Sequence, residues 1–261
     1  MKTSHSAHRV SLPRALSKLG LTSRSRALLD IADGKVAVNG KIEQNPHRWV
    51  NMKEDKILVS GKESKPRGKR YLVFHKPVNV VTTTSDEKGR ETIYDVLGSK
   101  GHGLIPVGRL DKNSSGLLLL TNDNQAADFL SNPEHEIHKT YDASIEKPIT
   151  PSDLQKLREG VEITLSGNVY RTKPAEVTML SKTKIRISIA EGKNRQVRKM
   201  MEELGFSVLH LVRISVGPFK LGTMKSGQVR ELSPDEVELL NEMMKRKRAN
   251  PASSRQTFSR S

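Results

Sequence analysis

At 261 residues the chain has room for one or two domains, and its apolar residues, 34% of the total, are clustered enough to build a core. With no cysteine it cannot form a disulfide, a thiolate metal site or a cysteine nucleophile; with no apolar leader and no apolar run near the roughly 18 residues of a membrane span, it is expected to be soluble and cytoplasmic. The net charge of +16 sits at the ends, +10 over residues 1–70, zero over 71–244 and +6 over 245–261, which points to a polyanion held by both ends of a balanced body, the plainer alternative being solvated basic tails.

Residues 1–9 read as a disordered arm. Leu12, Ala15, Leu16 and Leu19 fall at helical spacing, and Gly20 predicts a stop. Ser23 predicts the N-cap of a second helix that runs to about Asp33, with Ala27, Leu28 and Ile31 on one face and Gly34 at its end. Val36-Ala37-Val38 then leads into Asn39-Gly40, a strong hairpin signal, and a short strand follows from Lys56 to Val59. Arg14, Lys18, Arg24, Arg26 and Lys35 would give this segment one positive face toward phosphates. The spacing of Leu12, Ala15, Leu16, Gly20 and Ser23-Arg24, followed by Gly34-Lys35-Val36-x-Val38-Asn39-Gly40, resembles the small RNA-binding domain named for ribosomal protein S-four. The resemblance implies an RNA-binding domain over residues 10–62; a generic basic helix pair with a hairpin is the alternative.

Residues 63–70, rich in Lys and Arg with Pro66 and Gly68, read as a linker. A second domain is expected over residues 71–244. Its strands are predicted at 71–75, 79–83, 104–107, 116–121, 138–146, 174–180, 183–190 and 207–216. Its helices are predicted at 92–97, 124–131, 151–158, 194–204 and 234–244. Ser152 is the expected cap of the third of these helices. Ser233, Pro234 and the acids Asp235 and Glu236 make a good start for the last. Strands dominate, with helices scattered between them, so the fold class is α+β with a mostly antiparallel, mixed sheet. Residues 245–261 read as a basic, disordered tail that either folds along RNA or only raises non-specific affinity.

Three segments of the second domain have chemical potential. Gly108-Arg109-Leu110-Asp111 opens a polar loop that feeds into the apolar run Leu117–Leu120. A carboxylate there would be held on a rigid element, as a nucleophile must be; it could equally make an Asx-turn. Tyr141, in Lys139-Thr140-Tyr141 at the start of a strand, is suited to stacking on a base, though an ordinary strand tyrosine reads the same. Glu191-Gly192-Lys193-Asn194-Arg195-Gln196-Val197-Arg198-Lys199 places four cations within seven residues at a helix start. That is unfavourable for the helix dipole unless an anion, a phosphate or a buried carboxylate, lies nearby; a solvated basic face is the alternative.

These segments, with Ser115-Gly116-Leu117-Leu118-Leu119, Lys76-Pro77 and Gly89-Arg90-x-Thr92, together resemble the RsuA/RluB/RluF-like ribosomal group of pseudouridine synthases. The likeness runs from Leu12 to about Leu240. It departs at Asn79, where the group usually has glycine after Lys-Pro-x, a turn that Asn tolerates. The resemblance implies isomerisation of uridine to pseudouridine in ribosomal RNA, redox-neutral and without metal or cofactor. Asp111 is then the nucleophile, which either attacks the ribose or starts a proton removal that opens a glycal route. Tyr141 packs on the base, and Arg198 is the cation that keeps Asp111 ionised against burial. Arg109 and Lys139 hold loop and backbone geometry and, with Lys193 and Arg195, face RNA. The target uridine must leave its stack. The expected partner is ribosomal RNA or a pre-ribosomal particle, large subunit before small, bound by a monomer away from membranes. A non-catalytic RNA-binding assembly factor is the competing reading; pure binding does not require Asp111, Tyr141 and Arg198 together.

Overall fold

The computed structural model describes residues 9–19, 21–22, 24–52, 54–63, 68–83 and 86–249. The chain gathers into two compact units. One extends as far as Lys69 and includes Asn122–Asn124; the other takes Arg70–Thr121 and the residues from Gln125 onward.

The first unit opens with β1 (Arg9–Ser11), α1 (Leu12–Lys18) and α2 (Arg24–Ala32). Four-residue spacing puts Leu12, Ala15 and Leu16 of α1 and Ala27 and Ile31 of α2 into one core with Val36, Val38, Val50 and Ile57. Leu28, expected on that face, is exposed. The proposed stop at Gly20 and cap at Ser23 lie outside the described residues. β2 (Val36–Val38) and β3 (Lys41–Ile42) form the expected hairpin. Asn39 and Gly40 between them are both left-handed, with φ of 52° and 80°, as a two-residue turn of this hand requires. Asn39 also ties the turn down by donating to Asp55 (2.8 Å) and accepting from Lys56 N (2.9 Å). β4 (Trp49–Asn51) pairs with β1, and β5 (Ile57–Val59) pairs with β2. β6 (Lys62–Glu63) extends that sheet, so Glu63 is a strand residue and not linker.

In the second unit come β7 (Tyr71–Lys76), α3 (Ile93–Leu97), β8 (Ile105–Pro106), β9 (Ser115–Thr121), α4 (Asn124–Ser131), β10 (Lys139–Ile145) and α5 (Pro151–Glu159). There follow β11 (Glu162–Leu165), β12 (Asn168–Arg171), β13 (Glu176–Ser181), β14 (Lys184–Ile189), α6 (Gln196–Glu203), β15 (Val208–Val216), β16 (Phe219–Lys220), β17 (Val229–Glu231) and α7 (Pro234–Ala249). Among the described residues the main sheet runs β13-β14-β10-β15-β9-β7-β17, with β16 on β15 and β8 on β9. Its pairings are antiparallel except where β15 meets β9. This is the α+β class with a mixed sheet.

The Leu117–Leu120 run is explained by burial on both faces. Leu117 and Leu119 pack with Tyr71, Val73, Phe129 and Leu240, while Leu118 and Leu120 pack with Leu72, Phe74 and Ile93 on the other side. A further core joins β10, β14 and β15 to α5 and α6 through Ala143, Ile145, Ile187, Leu157 and Met200.

Several sequence expectations change. Residues 79–83 are not a strand. Asn79 is left-handed with φ of 68°, and Val81 makes only an isolated bridge to Thr92. α5 is capped by Thr150, not Ser152, in a capping box with Asp153 that places Pro151 in the first turn. α7 continues to Ala249, so Lys245–Arg248 are helical and not tail. No helix among the described residues is long and apolar enough to cross a membrane.

Candidate active site

The loop before β9 is fixed by its carbonyls, which are held by donors from residues 76–82 and from α6. Thr82 Oγ1 donates to Leu110 O (2.8 Å), and Asn79 N to Lys112 O (2.8 Å). Arg198 Nη2 donates to Asn113 O (2.8 Å), and Lys76 Nζ to Ser114 O (2.9 Å). Just beyond, Arg213 Nε donates to Leu117 O (2.7 Å). The left-handed Asn79 is what turns its N–H toward the loop. Asp111 itself closes a turn through its main chain, accepting from Ser114 N at 3.0 Å. Its carboxylate makes no hydrogen bond or ion pair among the described residues, so the Asx-turn reading is not realised. A carboxylate is left free on a loop with little freedom to move.

That carboxylate lines a cavity of about 310 Å³ together with Tyr141, Arg109, Lys139, Lys193, Arg195 and Arg213. Residues drawn from the loop, from β10, from the segment before α6 and from β15 thus meet at one place. Tyr141 is half-buried and packs against two of the cores, which fixes its ring beside Asp111. Lys139 is buried, and burial, with Arg213 nearby, pulls its amine below the ordinary lysine value.

Arg198, expected to be the cation near Asp111, makes its hydrogen bonds elsewhere. Its guanidinium is spent on Asn113 O and on Val208 O (2.7 Å), and it lines a neighbouring cavity with Asn79 and Asn113. It acts on Asp111 at longer range. Burial lowers the Arg198 pKa first, with Arg195 adding to that, while the Asp111 charge opposes. The same holds for Lys76, which sequence reading placed only in a matching motif. Lys76 is fully buried, and desolvation brings its amine down to about 8 against the pull of Asp111. Two buried cations therefore supply positive potential to one carboxylate without touching it.

Glu191 is a second residue that sequence reading did not single out. Its carboxylate is buried and accepts from Tyr170 OH (2.6 Å), Lys173 N (3.0 Å) and Gln196 Nε2. It stands just before the cations of Lys193–Arg198 and accepts its hydrogen bonds from Tyr170, Lys173 and Gln196. The hydrogen bond to Glu191 pushes the Tyr170 hydroxyl up to about 12, and Lys193 Nζ sits 4.7 Å from the centre of the Tyr170 ring. The basic wall of the cavity is thereby tied to β12. An acid immediately before a Gly-Lys turn was the available signal.

Buried polar atoms with no protein partner concentrate here as well. Ser114 Oγ, Arg198 Nε and Arg213 Nη2 are three of the four such atoms among the described residues. Orphaned polar atoms of this kind are costly in a finished core and mark places built for something else. No cluster of three or more His, Cys, Asp or Glu side chains that could hold a metal occurs among the described residues.

The remaining expected RNA contacts lie in the first unit. Arg14, Lys18, Arg26 and Lys35 are exposed there, Arg26 pairing with Asp30 and Lys35 with Asp33. The side chain of Arg24 lies outside the described residues.

Comparison with known proteins follows from this geometry. Residues 70–203 match the family described as RNA pseudouridylate synthase. The chain is 37% identical over 236 residues to the ribosomal large subunit pseudouridine synthase B of Bacillus subtilis (strain 168), which covers 88% of this chain and 94% of that one. It is 32% identical over 250 residues to the protein of the same name from Haemophilus influenzae, covering 89% and 67%. A crystal structure of a pseudouridylate synthase superposes with a TM-score of 0.65 at 29% identity, covering 88% of this chain and 99% of the other.

Proposed function

The chain belongs to the RNA pseudouridylate synthase family, and from that premise we propose that it isomerises a uridine of large-subunit ribosomal RNA, with Asp111 as the nucleophile. The observation that carries the residue assignment is the cavity, where a carboxylate with no hydrogen bond or ion pair among the described residues shares the lining with a tyrosine ring and a wall of cations. The relatives from B. subtilis and H. influenzae, both named for the large subunit, support the choice of RNA.

The reaction exchanges the bond from the ribose C1′ to N1 of uracil for one to C5; C5 gives up its proton and N1 gains one. Whether Asp111 attacks the ribose or takes a proton from it, the carboxylate must be charged, held still and shielded from water. The pinned carbonyls of residues 110–114 hold it still. Lys76 and Arg198 add positive charge around the site, and the ring of Tyr141 covers the uracil and excludes water. Arg109, Lys139, Lys193 and Arg195 meet the phosphates of the flipped nucleotide and its neighbours. No cofactor takes part.

Residues 10–62 act as an S-four-type RNA-binding domain through Arg14, Lys18, Arg24, Arg26 and Lys35, residues 71–244 carry out the chemistry, and the enzyme works as a cytoplasmic monomer. Chemical mapping of pseudouridine in ribosomal RNA from cells with and without the gene tests this. Loss of a single large-subunit site is expected. An unchanged map would overturn the reading, and a lost small-subunit site would redirect it.

A further inference from the structure

The first 70 residues contain a single Phe, Tyr or Trp, and it is Trp49, the only tryptophan of the chain. The core of the first unit is built without it, from Leu, Ala, Ile and Val. Trp49 is 65% exposed. The pairing explains why. In the β1–β4 ladder Val10 faces Val50, and Val50 is fully buried in the core. Alternation then turns Arg9, Ser11, Trp49 and Asn51 to the opposite, outward side, where Ser11 pairs with Trp49 and Arg9 with Asn51. Among the described residues no cation is placed over the indole. The strand that carries the ring is anchored in the core by the next residue, Val50.

A large apolar ring kept in water loses the stabilisation that burial would give, on the order of 2–3 kcal/mol for a large side chain. The core of this unit uses only aliphatic residues. The surroundings narrow what covers the ring. The segment carries a net +10, Arg9 lies on β1, Arg48 precedes β4 and pairs with Glu43 (2.6 Å), and the partner of the family is RNA. An aromatic ring beside guanidinium groups is the combination that binds an unpaired nucleotide: the ring takes the base, the cations take the phosphates.

We propose that Trp49 is a stacking platform for an unpaired RNA base, with Arg9 as its phosphate contact. This goes beyond the positive face of Arg14, Lys18, Arg24, Arg26 and Lys35 by adding a subsite that prefers single-stranded RNA. It rests on the reading of the first unit as an RNA-binding domain and is independent of the catalytic assignment of Asp111.

Because Trp49 is the sole tryptophan, its fluorescence reports the contact directly in the full-length protein. A 12-nucleotide single-stranded oligoadenylate should quench the emission on binding, whereas a blunt RNA duplex of equal charge should bind with little quenching. With labelled oligoadenylate, anisotropy should show Trp49→Ala weakened about 5- to 150-fold, the range expected for one stacked base, with an unchanged salt slope. Trp49→Phe should stay within about threefold of the parent, which separates loss of stacking from loss of folding. Absence of quenching, or equal affinity of Trp49→Ala, would overturn the proposal. So would a concentration-dependent dimer that Trp49→Ala dissolves, because the ring would then be covered by a second copy. None of these readouts requires turnover, so their failure leaves the assignment of Asp111 to be judged by its own variant.

Discussion

Gly116 joins the site to the rest of the sheet, and replacing it with alanine makes a demanding test of how the site is held. Its φ of 106° is one that residues with a side chain rarely adopt. It lies opposite Arg213 in the parallel pairing of β9 and β15. An added Cβ would stand 2.3 Å from Arg213 O and 2.6 Å from Arg213 N, both backbone atoms in a ladder. Backbone strain contributes about 1–3 kcal/mol. Relief of the overlap requires the two strands to part, which also endangers the buried bond from Arg213 Nε to Leu117 O, worth about another 1–3 kcal/mol. The sum is about 4 kcal/mol, or a fall in Tm of roughly 8–16 °C for a unit of this size. Arg213 lines the cavity, so kcat should drop at least about tenfold along with stability. Gly108→Ala is the control. Its φ is 70°, but an added Cβ would meet nothing within 4 Å, so about 1 kcal/mol is expected. Thermal unfolding followed by circular dichroism compares the two. Equal losses, or a loss below about 1 kcal/mol for Gly116→Ala, would refute the close-approach reasoning.

Other consequences are as direct. Lys76 has a folded pKa of about 8 against an ordinary value of 10.5, so between those values the unfolded chain binds more protons and stability should rise with pH. Relative to Lys76→Met, the parent should gain up to about 3 kcal/mol on going from pH 8 to 10.5; a difference flat in pH, read from urea unfolding, would contradict this. Glu191→Gln should bring Tyr170 back from about 12 toward 10.0 in a difference-absorbance titration and raise KM for RNA about tenfold with kcat nearly constant. An unmoved tyrosine, or a loss confined to kcat, would sink the positioning role of Glu191. Replacing Arg14 and Lys18 with alanine should reduce the slope of log affinity against log salt by about 1.5–2, because two phosphate contacts are removed. An unchanged slope would place RNA elsewhere on the first unit.

What the sequence revealed, and what it hid, follows the range of the forces involved. Local signals carried well. The hairpin at Asn39-Gly40 and the helix over Asn124–Ser131 stand where turn chemistry and periodicity put them. The apolar run Leu117–Leu120 correctly announced a strand. The pair β11–β12 and the strands β16 and β17 escaped because they are short and, in β12, mostly exposed, so no alternation marks them. A Ser-Gly turn, Ser166 and Gly167 at φ of 50° and 84°, links β11 to β12 and is a weaker signal than Asn-Gly. The strand expected at 79–83 failed because Val80 and Val81 are buried through loop contacts and not through a ladder.

At the site, residue type and order brought Asp111, Tyr141, Arg109, Lys139, Lys193 and Arg195 to one cavity. The supporting set was hidden. Donors to carbonyls, such as Lys76 and Arg198, depend on pairs 38 and 85 residues apart, which no local pattern encodes. Glu191 looked like one acid before a turn, and only its burial against Tyr170 and Gln196 makes it an anchor.

The most direct test is a comparison of the parent enzyme with Asp111→Asn on a ribosomal RNA transcript labelled with tritium at C5 of uridine. Asn keeps the size and the loop bonds, all of which run through main-chain atoms, but removes the negative charge. Tritium release should fall at least about a thousandfold while RNA affinity stays within about twofold. Tritium release near that of the parent would show that Asp111 does not carry the chemistry.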